Sequence, residues 1–287
     1  MKMKWRLALC LLAVSTTAGA IVIRADVDDA RYQIPANAVP ALADLPGEGH
    51  GVLIAPRWVV TAAHAISWQM SVNEVTIGGK PRKVATIIKY PGYTTLPDSI
   101  AKDAMASGDF SKIHAFLSNS NDIALIELAS PVTDVAPMPL YRGSNEKGNT
   151  VEIVGKGATG NGLTGEIVHG SHRTELRRAY NLVTGVSDHW LWYTFDAPPA
   201  ALPLEGFAGG GDSGGPVILD EKGKKELAGL ASWSKYPGGL HGEAGLHGIK
   251  GGFYGEISYD VRISHYAGWI EKVMSAHPCC AAKAQTE

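Results

Sequence analysis

Three short stretches of the 287-residue chain carry side chains able to act together on a carbonyl group. Val59-Val60-Thr61-Ala62-Ala63-His64 runs a β-branched segment into small residues and a histidine, and Asn121-Asp122-Ile123-Ala124-Leu125 sets an acid at the mouth of an apolar run. Gly211-Asp212-Ser213-Gly214-Gly215-Pro216 presents a serine among glycines. A serine hydroxyl is a poor nucleophile at neutral pH until a base takes its proton. An imidazole titrating near ~6.5 can accept that proton and return it. A carboxylate beside the ring fixes its tautomer and stabilises the imidazolium. Each residue alone has a plainer reading: His64 as a structural histidine, Asp122 as a strand-end cap, Gly211 to Gly215 as a flexible loop. The conjunction outweighs these, because at average usage a fixed six-residue word occurs by chance in roughly one in 10⁵ chains of this length.

In this order the three words resemble those of the trypsin-like (chymotrypsin-fold) serine peptidases. Gly155-Lys156-Gly157, Ser232-Trp233 and Trp269-Ile270 extend the resemblance over most of the chain beyond residue 20. It implies a serine endopeptidase acting through an acyl-enzyme, with His64, Asp122 and Ser213 as its triad and the amides of Gly211 and Ser213 as its oxyanion hole. It implies polypeptide substrates, a proteinaceous inhibitor as a further candidate partner, and neither metal nor organic cofactor. It also implies that a freed Ile21 ammonium pairs with Asp212, so that cleavage after Ala20 would release an active enzyme.

The departures narrow the expectation. Ala65 stands where a cysteine commonly follows the catalytic histidine, which suggests an exported, bacterial-type member without the usual disulfides. Six positions before Ser213, where trypsin has the aspartate that receives Lys or Arg, this chain has Phe207. With Ala208 and Ser234 it would make an uncharged pocket with no preference for basic residues, beside a substrate contact at Ser232 and Trp233. Two alternatives stand beside this reading. One is a catalytically silent binding protein of the same fold. The other is an α/β-hydrolase-type esterase, since Gly211 to Gly215 also fits Gly-x-Ser-x-Gly and Asp260 and His265 follow it.

Positioning these groups falls to short β-rich segments parted by Gly, Pro, Asn and Asp. Val52 to Ile54, Trp58 to Thr61, Glu74 to Ile77, Val84 to Lys89 and Ile123 to Leu128 read as strands in the first half. Val151 to Val154, Trp190 to Phe195, Pro216 to Leu219 and Leu227 to Trp233 do so in the second. Ser99 to Leu117 reads as a helical insertion broken at Gly108, and Ser264 to His277 as a C-terminal helix with Ser264 as its N-cap. The strand spacing suggests barrels or sandwiches, and the family resemblance implies an all-β fold of two six-stranded antiparallel β-barrels, residues 21–140 and 141–287, with the catalytic cleft between them.

Composition bounds the partners. Apolar residues make up 45% and charged residues 19%, ordinary for a globular protein. The net charge of −2, or −5 without Lys2, Lys4 and Arg6, gives no electrostatic reason to bind nucleic acid or an anionic membrane. Those three cations, the apolar run Leu7 to Val14 and Ala18-Gly19-Ala20 read as a signal peptide over residues 1–20, hence a secreted or periplasmic enzyme, expected as a monomer. Cys10 would leave with that segment, and the adjacent Cys279 and Cys280 near the C-terminus supply no framework disulfide. His169 and His172, or His241 and His247, tempt a metal reading but lack a full ligand set.

Overall fold

The computed structural model describes residues 21–67, 69, 71–167, 175–236 and 250–277. The proposed leader, the three cysteines and His169, His172, His241 and His247 lie outside the described residues.

The first half contains β1 (Ile21–Ile23), β2 (Gln33–Ile34), β3 (Leu42–Asp44), β4 (His50–Ala55), β5 (Trp58–Thr61), α1 (Ala63–Ser67), β6 (Glu74–Ile77) and β7 (Lys80–Lys89). The insertion α2 (Asp98–Ser107) and α3 (Ser111–Ser118) follows, and then β8 (Ala124–Leu128). Strands β3-β4-β5-β8-β7-β6 close into an antiparallel barrel. All four residues of β5 are buried, so it reads as an unbroken apolar run instead of an alternating one. It pairs with β8 in the register Val60↔Leu125 and Thr61↔Ala124. Gly108 ends α2 as anticipated: its φ of 72° turns the chain left-handed while its N–H closes onto Ala104 O.

The second half contains β9 (Thr150–Gly155), β10 (Thr159–Asn161), β11 (Gly165–Glu166), β12 (Leu176–Leu182), β13 (Gly185–Val186) and β14 (Trp190–Thr194). It continues with β15 (Gly206–Phe207), β16 (Pro216–Glu221), β17 (Lys224–Lys235), β18 (Ile257–Arg262) and the C-terminal helix α4 (Ile263–Ala276). Its strands form an eight-stranded sheet, β13-β14-β18-β17-β16-β9-β12-β2, and a four-stranded one, β11-β10-β1-β15. The N-terminal β1 and β2 are thus built into second-half sheets, tying the chain's start to the side that carries Ser213. Helix α4 reaches back: Tyr266 and Ile270 join the apolar cluster of the closed barrel. Ser264 is not its N-cap. The helix begins at Ile263, and the Ser264 hydroxyl donates instead to buried Glu146 (2.6 Å), which also pairs with Arg262 (2.8 Å).

Candidate active site

Paired strands set the positions of two of the three reactive groups. Asp122 lies just before β8, and His64 lies in the first turn of α1 just beyond β5. Asp122 Oδ1 accepts the His64 backbone N–H at 2.8 Å, and Oδ2 faces the ring Nδ1 at 2.6 Å. Ser232 donates its hydroxyl to the same Oδ2 at 2.5 Å. On the far side of the ring, Nε2 lies 2.8 Å from Ser213 Oγ. The structure therefore brings His64, Asp122 and Ser213 into one hydrogen-bonded line. Burial pulls the His64 pKa down, but the Asp122 charge and hydrogen bond outweigh it and hold the imidazole above its usual value. Burial works against Asp122 too, yet the His64 charge and the donors around its oxygens keep this carboxyl below its ordinary range.

The Trypsin family model matches residues 30–247 of this chain. The chain belongs to the trypsin family of serine endopeptidases. It is 28% identical over 239 residues to Trypsin 5G1 of Aedes aegypti, covering 72% of this chain and 77% of that protein. It is 28% identical over 251 residues to Serine protease 56 of Mus musculus, covering 79% of this chain but only 35% of that longer protein. The fold resembles that of neuropsin, a serine protease expressed in mouse brain, with a TM-score of 0.60 at 21% identity over 85% of this chain and 98% of that one. The esterase alternative falls away with the fold. Asp260 is sealed within β18, its carboxyl pushed up to about 8 by burial, and His265 packs against His189 and Tyr266.

Ser213 sits in a loop between β15 and β16 that is held by its own backbone. Gly49 N–H donates to Gly211 O (3.2 Å), His50 N–H to Ser213 O (2.7 Å) and Gly214 N–H to Ala231 O (2.8 Å). Gly211 has a φ of 89°, and among the described residues neither its N–H nor that of Ser213 donates to a protein acceptor. In the continuous chain Ile21 and Asp212 are not hydrogen-bonded to each other. Ile21 is fully buried in β1, while the Asp212 carboxylate accepts N–H from Gly157 (2.6 Å) and Gly209 (3.0 Å). A second histidine, His50, lies 3.7 Å from Asp212 but does not resemble His64 in its bonding. Its Nε2 accepts Lys156 N–H (3.2 Å) and its Nδ1 faces Asp44 (3.1 Å), so both ring nitrogens are engaged structurally.

A cleft of about 820 Å³ opens beside Ser213, and Phe207, Ala208, Ser232, Trp233 and Ser234 all line it. Phe207 is buried, stacked on Phe195 with ring centres 5.9 Å apart, and gives the cleft an apolar surface. Trp233 stacks on Tyr259 at 4.2 Å. The Ser232 hydroxyl is committed to Asp122. The helical insertion reaches the cleft through Asp109, Phe110 and His114, with His114 stacked on Trp233 at 6.2 Å. Sequence reasoning missed Glu256, which lines the cleft at 4% exposure. It lies 43 residues beyond Ser213, past a Gly-rich stretch that fits the family pattern in more than one register.

Proposed function

We propose that His64, Asp122 and Ser213 are the catalytic triad of this endopeptidase. Ser213 Oγ attacks the scissile carbonyl as His64 Nε2 takes its proton, and the N–H groups of Gly211 and Ser213 receive the tetrahedral oxyanion. His64 then protonates the leaving amine, and an activated water hydrolyses the acyl-enzyme. The observation that carries this reading is the pair of contacts on one imidazole, 2.6 Å to Asp122 and 2.8 Å to Ser213 Oγ. An extended polypeptide fits beside Trp233 and Ser234, because β17 leaves β16 at Leu230 and its next residues line the cleft. A proteinaceous inhibitor would enter by the same edge. The protein works as a monomer without cofactor.

Residues 1–20 act as a leader, the mature chain begins at Ile21, and units 21–140 and 141–287 face each other across the cleft. Ile21 sits at a φ of 66°, unfavourable for a β-branched residue, and a cut before it removes that constraint while freeing an ammonium for Asp212. Residues 21–277 contain no cysteine, so no disulfide braces that span. Among the described residues no helix is long and apolar enough to cross a membrane. The test is labelling with a fluorophosphonate. One label per folded molecule at Ser213, lost in Ser213→Ala, supports the enzyme; a folded protein that takes none favours the silent binding protein.

A further inference from the structure

Gly209, Gly210 and Gly211 run in succession before Asp212, and residues 21–277 hold no cysteine, so non-covalent bonds must fix the path of this permissive stretch. Gly210 is held from both ends. Its C=O accepts the Ala158 N–H at 2.6 Å. A planar trans peptide points its carbonyl and its N–H to opposite sides, so this bond turns the Gly211 N–H away from Ala158. The Gly210 N–H, on the preceding peptide, donates to Glu166 Oε2 at 2.8 Å. Glu166 is itself clamped. It pairs with Gly160 across β10 and β11, its N–H donates to Gly251 O (2.8 Å), and its Oε1 faces the Gly251 N–H (3.4 Å). Glu166, Gly210, Gly251 and Ser213 all line the cleft. Gly210 lies at its exposed rim, where water can satisfy the N–H but does not hold its direction. An anchored carboxylate does both, and it accepts more strongly than a neutral oxygen.

We infer that Glu166 is a positioning residue for the oxyanion hole: by holding the Gly210 N–H it keeps the next peptide turned so that the Gly211 N–H faces the tetrahedral intermediate. Among the described residues its carboxylate bonds only to the N–H groups of Gly210 and Gly251, so it acts through the backbone and not on the substrate. A Gly210–Gly211 peptide turned the other way would aim a carbonyl oxygen at the developing negative charge. The inference rests on the triad reading and on the Gly211 N–H as an oxyanion donor, so labelled active sites are counted before rates are compared.

The experiment compares wild type, Glu166→Gln and Glu166→Ala on one peptide amide that wild type cleaves, with active sites counted by exhaustive fluorophosphonate labelling. Glu166→Ala is expected to lose about tenfold to hundredfold in kcat with KM within about threefold of wild type, and to lose affinity for a peptidyl trifluoromethyl ketone by a similar factor. Affinity for the matching peptidyl alcohol, which forms no oxyanion, should not change. Glu166→Gln keeps an oxygen acceptor and should stay within about threefold of wild type in kcat. An unchanged kcat in Glu166→Ala, a loss confined to KM, or a Gln variant as slow as the Ala variant overturns the assignment while labelled Ser213 keeps the triad reading. Absence of labelling in folded wild type overturns both. Should Glu166→Ala not fold, Glu166→Met, which keeps the stem without an oxygen acceptor, takes its place with the same outcomes.

Discussion

On one side of the cleft His64 and Asp122 lie beyond the ends of β5 and β8, two fully paired and almost wholly buried strands of a closed barrel. On the other side Ser213 lies in a loop with no ladder partner, held by N–H···O bonds from Gly49, His50 and Gly214 and by the Asp212 carboxylate. His64 and Asp122 are therefore positioned by strand register and apolar packing, and Ser213 by polar backbone bonds that demand glycine. The two histidines of the barrel make the same point. His64 keeps Nε2 for a hydroxyl, whereas His50 gives its Nε2 to a backbone N–H and its own N–H to Ser213 O. Losses on the barrel side should then separate chemistry from folding, and losses on the loop side should mix them.

Asp122→Asn gives the largest effect. The amide keeps the shape and part of the bonding but removes the charge, so folding should persist while kcat/KM falls by about 10⁴, the loss known for triads of this type. The pH profile sharpens the result. With neutral His64 as the proposed base, activity rises as pH climbs through its folded-state pKa, which the Asp122 charge holds above the usual value. In wild type the acid limb should therefore lie above pH ~6.5. In Asp122→Asn the residual activity should show that limb at lower pH, because burial then acts against the imidazolium with no carboxylate to offset it. An acid limb that stays in place would mean that Asp122 does not set the His64 protonation.

How much of this the sequence made legible follows the same divide. Strand β5 and the start of β8 announce themselves as β-branched or apolar runs ending in His64 or beginning after Asp122, and the glycines around Ser213 mark a turn. The helical insertion and its break at Gly108 were readable; the structure divides it into Asp98–Ser107 and Ser111–Ser118. Strand β12 was hidden because Leu176-Arg177-Arg178-Ala179 looks half-exposed, yet Arg177 is fully buried on Asp29, 148 residues earlier (2.6 Å). Such a partner has no local signature. Glu256 was hidden for the same reason: its meaning comes from Ser234 across a strand pair, and not from its neighbours in the chain. Ser264 misled because a hydroxyl near a helix start has a competing use, here the carboxylate of Glu146.

Gly214→Ala probes the loop side with a smaller but mixed effect. Gly214 has a φ of 74°, and a Cβ there would press on His50 O and Thr61 Oγ1, the points where the loop meets the barrel. A left-handed alanine costs about 1–2 kcal/mol before any displacement. Stability should fall by about 2–3 kcal/mol, and labelling of Ser213 should slow by about tenfold to hundredfold in the molecules that still fold. Full-rate labelling in a destabilised protein would show that the loop keeps Ser213 in place without this contact, and the contrast between the two sides would narrow.

Thr61→Val is the gentlest test, because it touches the seam from the barrel side. Thr61 is fully buried at the end of β5, and its hydroxyl donates to His50 O at 2.6 Å, while the His50 N–H donates to Ser213 O. Valine keeps the branched shape and removes the one hydrogen bond. The denaturant midpoint should drop by the equivalent of about 1 kcal/mol with an unchanged m-value. If apolar packing positions this side, β5 stays in register and kcat/KM should remain within about threefold of wild type. A loss of tenfold or more would mean that one barrel hydroxyl, acting through His50, sets the position of the nucleophile, and the loop would then owe its geometry to the barrel and not to its own glycines.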